Sequence, residues 1–417
     1  MVNQKTSLKR SISLSLITFY GLGNILGAGI YVLVGKVAAE AGYFAPLSFF
    51  IASIIAAISA FSYAELSSRY PVSAGEAVYV YEGFGVKQLS LLVGLLITFA
   101  GIVSSATIAH GFAGYMQVFF DLPRWLMITL MLLTLGGLAS WGISQSVRVA
   151  ALLTLAEVAG LLIIIFVGID QLPQLGQLSV DQWMGNGNEL DSSSTFQVGM
   201  LFGVFSGAFL AFYAYIGFED MVNVAEEVKN PQRTMPIAIL LCVIISALLY
   251  GLVSLVAVSV LTPVELSLSD APLASVYTAA TGRAPVIISV IGIFAVINGV
   301  LIQIIMASRM LYGMANRGWM PGWLETIHPI TRIPLNSTLL IVALMIFFAL
   351  MLPMVTLAEL TSYLVLTVFA LVNLALIKIK RREPKPEGVR VFSVWMPILG
   401  FVTTVLFLSI EVASHFI

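Results

Sequence analysis

Charge is what this chain has least of. Charged residues make up 10% of its 417 residues, against 59% hydrophobic, and its mean hydropathy is +1.01. A soluble domain carries about 25% charged residues and uses them to cover its surface. Lipid must face most of this one. The formal net charge is −1, so no polyanionic partner is implied, nucleic acid included. Cysteine is reduced to Cys242, which excludes an internal disulfide framework and leaves a metal site without its usual thiolates. The histidines, His110, His328 and His415, stand far apart. A Gly-x-Ser-x-Gly elbow and a Walker loop are also missing, which weighs against a membrane-embedded hydrolase and a nucleotide-driven pump. Neither an enzyme nor a cofactor is expected.

What remains is apolar sequence in long runs. A spanning helix needs about 20 mostly apolar residues. The runs that qualify are Ser11–Gly35, Phe44–Leu66, Gln88–Val118, Trp125–Trp141 and Val147–Ile169, then Phe196–Val224, Pro236–Leu261, Pro285–Ala315, Ser337–Leu352, Val355–Ile377 and Phe392–His415. The first follows Lys5, Lys9 and Arg10 but is too long for a signal-peptide core, so it reads as a retained helix. The expected organisation is a cytoplasmic N-terminus at 1–10, a first half at 11–169, a polar loop at 170–195, a second half at 196–377, a basic loop at 378–391 and a last helix at 392–417. Alternating sides from a cytoplasmic N-terminus puts only Lys36, Arg124 and Arg283 outside, of 20 Lys and Arg in all. That bias supports the span count and the orientation, and places the C-terminus outside. An integral protein of the cell membrane is expected. The Lys378–Arg390 cluster then marks the cytoplasmic face, against anionic headgroups.

Two spans are interrupted alike. The first reads Gly21-Leu22-Gly23-Asn24-Ile25-Leu26-Gly27-Ala28-Gly29-Ile30-Tyr31, and the sixth reads Phe212-Tyr213-Ala214-Tyr215-Ile216-Gly217-Phe218-Glu219. Each glycine in a helix interior costs about 1 kcal/mol against alanine, so the first helix is weak near mid-membrane. Broken backbone at that depth is tolerated only where it is buried in protein or lines a cavity. A half-helix starting near Ala28 and Gly29 points free N–H groups at the break, which suits a carboxylate. Carbonyls freed just before each break suit an ammonium group. Glycines can also serve close helix packing, and for one such span packing is the better reading. Interruptions at matching positions of two halves point instead to a transport site.

These residues also carry a resemblance. Gly27-Ala28-Gly29-Ile30-Tyr31 looks like the first-helix signature of the amino acid–polyamine–organocation superfamily. Tyr213–Arg233, ending Ala225-Glu226-Glu227-Val228-Lys229-Asn230-Pro231-Gln232-Arg233, resembles its sixth helix and following loop. Pro71–Tyr79 and Ser308–Gly318 agree as well, so the likeness runs from about Lys9 to Arg382. It is nearest the cationic amino acid transporter and basic amino acid–polyamine antiporter branches. The resemblance implies an all-α membrane protein with a five-plus-five inverted-repeat (LeuT-like) core, discontinuous helices one and six, and one extra C-terminal helix. It implies a secondary transporter of amino acids, by proton-coupled symport or exchange, with a polyamine antiporter or a non-transporting sensor as alternatives.

By motif position, the resemblance gives Gly27, Ala28 and Gly29 to the substrate carboxylate and Ile25, Tyr213 and Ile216 to its amino group. Gly217 would let the sixth helix unwind. Tyr215 and Phe218 would shape or gate the cavity. Asn298 and Phe294, on the eighth span, are further candidates, Asn298 being equally suited to an interhelical hydrogen bond. Glu157 lies ten residues into the fifth span, about 15 Å deep. A lone ionisable group there is costly unless paired or protonated and is functional by default. Many family members have Lys at this position, so Glu157 is a candidate proton-coupling residue, the alternative being a protonated structural group. Glu219 is read as a gating or cation-attracting residue, the alternative being the partner of a cytoplasmic-side Arg, and Glu226 and Glu227 as salt-bridge partners at an inner gate or part of a solvated loop. The expected partners are an amino acid, protons as the coupling ion, and the bilayer.

Overall fold

A computed structural model describes residues 10, 12–27, 29–72, 75–140, 147–176, 194–328 and 334–414. Among the described residues its regular secondary structure is all helical, apart from an isolated parallel bridge between Ile12 and Val228. The first span is two helices, α1 (Leu14–Leu26) and α2 (Gly29–Ala41). There follow α3 (Ala45–Arg69), a short α4 (Gly75–Phe84), α5 (Lys87–Met116), α6 (Arg124–Ser140) and α7 (Val147–Gly168). The second half opens on α8 (Ser194–Phe212), which gives way to 3₁₀ turns at Tyr213–Tyr215 and Glu219–Glu227. Then come α9 (Pro231–Val260), two short helices α10 (Pro263–Leu268) and α11 (Pro272–Thr281), α12 (Val286–Asn316), α13 (Leu335–Met351), α14 (Met354–Arg382) and α15 (Trp395–Ser414).

Eight stretches among the described residues are long and apolar enough to cross a membrane, and α6 and α13 are shorter apolar helices. These helices are apolar all round, which is what a membrane interior demands. Inward faces bury Leu, Ile, Val and aromatic side chains, while Phe50, Leu152, Phe166 and Leu248 stay exposed for lipid. The most extensive helix pairings are α3 against α9 and α5 against α12.

Several boundaries differ from the sequence reading. The break in the first span is short, and α2 continues to Ala41, six residues beyond the expected end at Gly35. Helix α14 runs on to Arg382, through Lys378, Lys380 and Arg381, which the sequence pattern places in a loop. Basic residues in a last turn suit the negative end of the helix dipole. Lys380 does not face headgroups: it is buried, and its Nζ lies 2.6 Å from Glu65 Oε2. Glu65 also pairs with Arg69 at 2.8 Å and accepts from the Phe392 N–H at 2.9 Å. This buried charge is therefore fully partnered, as burial requires. It ties α3 to α14 and to the segment leading into α15. Residues 177–193, most of the polar loop, lie outside the described residues.

Candidate functional site

The two interruptions meet. Helix α1 ends at Leu26, and Gly27 still has helical dihedrals and donates to the Gly23 carbonyl at 3.2 Å. The second interruption is wider. The α-helix stops at Phe212, Ile216 is extended at φ −65°, ψ 136°, and Gly217 has φ +132°. That dihedral belongs to glycine. A Cβ on Gly217 would also stand 2.9 Å from the backbone carbon of Asn24. After Phe218, the nine residues Glu219–Glu227 form a 3₁₀ helix, an uncommon length for that geometry, found at hinges and in strained sequence. At Gly29 a Cβ would stand 2.3 Å from the Cα of Ala214. Glycine here lets the two broken helices touch backbone to backbone.

Cross-links hold this junction. The Asn24 amide donates to the Gly217 carbonyl at 3.0 Å and to Asp220 Oδ2 at 2.8 Å. The hydroxyl of Tyr250, on α9, lies 2.7 Å from the Ile25 carbonyl oxygen and 3.0 Å from that of Ala214. One phenol thus serves a carbonyl at each break. The Gly217 N–H donates to Glu219 Oε2 at 2.8 Å. Below the junction, the Ile12 N–H donates to the Glu227 carbonyl at 3.0 Å, and Lys229 N–H donates back to the Ile12 carbonyl at 2.9 Å.

A small cavity lies where the breaks face α5 and α12. Its lining includes Asn24, Ile25, Gly29, Ser104, Tyr213, Ile216, Gly299 and Gln303, and its volume is about 10 Å³, room for about one water. An amino acid would enter only with movement of these side chains. Of the expected site residues, Ile25, Gly29, Tyr213 and Ile216 are brought together here. Tyr213 lies across from Ser104, with the two hydroxyl oxygens 3.0 Å apart. Gly27 faces α12 instead, where a Cβ would meet the Ala295 carbonyl at 2.9 Å. Ala28 lies outside the described residues.

Tyr215 and Phe218 point away from this cavity, toward α3 and its neighbours. Tyr215 donates to the Phe49 carbonyl at 3.1 Å and packs on Tyr250, while Phe218 packs on Tyr63 and Phe369. Phe294 is exposed. Asn298 does not line the cavity; its amide reaches Glu157 Oε1 at 3.4 Å. Glu157 is fully buried on α7, its Oε2 lacks a partner among the described residues, and its backbone carbonyl accepts from Tyr31 at 2.7 Å. Beside it, the Thr154 hydroxyl donates to the Phe19 carbonyl at 3.0 Å. Glu219 lines a second small cavity with Asp220, Gln303, Ser104 and Ile216.

The residues the sequence reading missed are Asn24, Ser104, Tyr250, Asp220 and Gln303. Gln303 had a signal: like Asn298, it is a lone amide in an apolar run. Asp220, directly after Glu219, had one too. Tyr250 had none, since its role depends on where α9 packs.

Comparison with known proteins fits this geometry. The profile of the family described as amino acid permease matches residues 12–417. A methylthioribose transporter of Bacillus subtilis (strain 168) is 28% identical over 407 residues, covering 92% of this chain and 84% of that protein. A vacuolar cationic amino acid transporter 4 of Arabidopsis thaliana is 33% identical over 393 residues, 88% of this chain. The chain spans only 62% of that plant relative's length. A branched-chain amino acid permease of Bacillus subtilis is 26% identical over 411 residues, covering 91% of this chain and 82% of that protein. With two broken helices crossing at a buried cavity, and a family profile that runs over nearly its whole length, the chain belongs to the amino acid permease family.

Proposed function

We propose that this protein is a secondary transporter that carries amino acids across the membrane by alternating access. The observation that carries the reading is the meeting of both breaks at one cavity, with Ile25, Gly29, Tyr213 and Ile216 on its wall. Backbone N–H groups at the start of α2 would take the substrate carboxylate. Carbonyls of Ile25 and Tyr213 would take its amino group. The Ile25 oxygen already accepts from Tyr250, but a carbonyl has two lone pairs. Ala28 and Gly27 remain proposed carboxylate residues through the motif alone.

The proposed architecture is the five-plus-five inverted repeat with eleven spans. Parting the first long stretch, Leu14–Arg69, between α2 and α3 and adding α6 and α13 to the rest gives that number. Reciprocal packing supports the symmetry. The first broken helix lies on α9, the second helix of the second half, and α8 lies on α3, the second helix of the first. The proposed orientation has the N-terminus cytoplasmic, from the distribution of Lys and Arg. Protons are the proposed coupling ion, through Glu157.

The relatives' names span cationic and branched-chain amino acids and methylthioribose, so the test starts from the α-groups. Uptake of radiolabelled amino acids into liposomes holding the purified protein is expected. A free α-amino acid should compete far better than its amide or its N-acetyl derivative, each of which removes a charge the helix ends match. Equal competition by a polyamine without a carboxylate would move the reading to amine antiport. Substrate binding without uptake would make the protein a sensor.

A further inference from the structure

A second cavity continues the first toward the residues that follow the second break. Ser104, Ile216 and Gln303 line both, and the second adds Glu219 and Asp220 to its wall. Glu219 is 2% exposed and Asp220 3%. Among the described residues neither forms an ion pair with a lysine or arginine. Asp220 Oδ2 is held by two amides, Asn24 Nδ2 and Gln303 Nε2, each at 2.8 Å. That bond fixes which end of Gln303 is nitrogen and turns its carbonyl oxygen the other way. Gln303 is 95% buried by the same measure, and its Oε1 has no partner among the described residues. A Cβ on Gly101, which also lines the second cavity, would meet that oxygen at 2.8 Å.

Two carboxyl groups and an orphaned carbonyl oxygen around one space are all hydrogen-bond acceptors once the acids ionise. Asp220 Oδ2 has its two amides and Glu219 Oε2 the Gly217 N–H, but burying two carboxylates with no cation beside them among the described residues is costly. A donor-rich cation brought in by the substrate would satisfy all three at once.

We propose that Asp220, Glu219 and Gln303 form a subsite for the positively charged side-chain end of the substrate, an ammonium or guanidinium group. This rests on the amino-acid reading above, which places the α-groups at the breaks. Gly299, on the first cavity, and Gln303 are one turn apart on α12, about 6 Å, the reach of a four-carbon stem ending in an ammonium. Asp220 is held in place by Asn24, in the last turn of α1 before the first break, so the subsite and the α-group site share one scaffold.

The test compares L-lysine with L-norleucine, which has the same stem without the ammonium. Binding to the purified full chain is read by thermal shift at fixed pH, in sodium chloride and in choline chloride. Lysine should bind about tenfold or more tightly, since a built polar site rejects an analogue that leaves it unpaired. In Asp220→Asn, which can still accept from Asn24 and Gln303, that ratio should fall toward one. Glu219→Gln should lower it as well and serves if the first variant does not assemble. Equal affinities in the wild-type protein, or an unchanged ratio in the variants, overturn the subsite while leaving amino acid binding intact. Norleucine binding that rises with sodium overturns it in favour of a resident metal ion. If neither amino acid binds, the amino-acid reading itself fails and the subsite with it.

Discussion

Tyr250 donates its hydroxyl to the carbonyl oxygen of Ile25 across 2.7 Å, from a helix 225 residues away in sequence. The Tyr250 hydroxyl oxygen also stands 3.0 Å from the Ala214 carbonyl oxygen. The first helix cannot open at its break without disturbing the sixth, because one side chain touches both. The ring is set edge-on against Tyr215 and Phe49, at centroid distances of 5.0 and 5.9 Å.

Tyr250→Phe keeps that ring packing and removes only the hydroxyl. Leaving a buried carbonyl without its donor costs about 1–3 kcal/mol. The variant should show a lower thermal transition in detergent and weaker amino acid binding, since the two breaks lose their common tie. Wild-type values for both would mean that the phenol is a packing group only.

How much of this was legible beforehand can be traced residue by residue. Both breaks could be read because glycines in an apolar run weaken a helix wherever they fall. Ile25, Gly29, Tyr213 and Ile216, which the motif resemblance assigns to the α-groups of a substrate, line one cavity. Directions of side chains were not legible. Tyr215 and Phe218 flank Gly217 yet face α3 and α14, which only the packing decides. Lys380 looked like a headgroup contact but finds Glu65 across 315 positions. The long-range partners of Asp220, Asn24 and Gln303, were hidden for the same reason.

Gly299 offers a cleaner probe of the cavity than Gly29. Any side chain at Gly29 strikes the Ala214 backbone, so Gly29→Leu disturbs the junction as well as the site. A Cβ on Gly299 meets only Ile108 Cδ1, at an ordinary 3.5 Å. Gly299→Ala should therefore fold at least as well, with a gain of up to about 1 kcal/mol for alanine in a helix interior. The added methyl takes space in a cavity that Gly299 lines, and one methylene is worth about 10-fold or more in a fitted pocket. Weaker binding with an unchanged or raised thermal transition is expected. Unchanged affinity would place the substrate elsewhere.

Glu76 is buried on α4, the loop helix between two spans. Burial pushes its carboxyl up from 4.5 to about 8, with Asp220 adding to the effect and a backbone hydrogen bond opposing it. Between those values the folded protein holds a proton that the unfolded chain has released. Stability should therefore fall as pH rises from about 4.5 to about 8, by about 1.4 kcal/mol per unit at most, and level off above. Glu76→Gln removes the titrating group. Thermal scans across this range should show a flatter profile for the variant and greater stability than wild type at the alkaline end. Parallel profiles would assign the slope to other groups.

Glu157 is the residue on which the coupling ion turns. It is fully buried in α7 beside the first break, with one oxygen near the Asn298 amide and the other without a partner among the described residues. Tyr31, in α2, donates to its backbone carbonyl, and Tyr115 donates in turn to the Tyr31 carbonyl at 2.7 Å. The carboxyl thus sits on the frame that carries the first helix past its break. Protonated, it has a hydrogen to donate; ionised, it can only accept. Each change of state would alter what holds α1 and α2, which is how a proton could be tied to opening. Glu157→Gln keeps the shape and an acceptor for Asn298 but cannot titrate. Wild-type protein in liposomes should concentrate substrate when a pH gradient is imposed. The variant should lose that accumulation and keep exchange of internal for external substrate, because exchange needs no net proton movement. A variant that still concentrates substrate with the gradient would make Glu157 a structural group and put the proton on another residue. If the gradient has no effect on the wild type either, and sodium drives accumulation, the coupling ion itself is different.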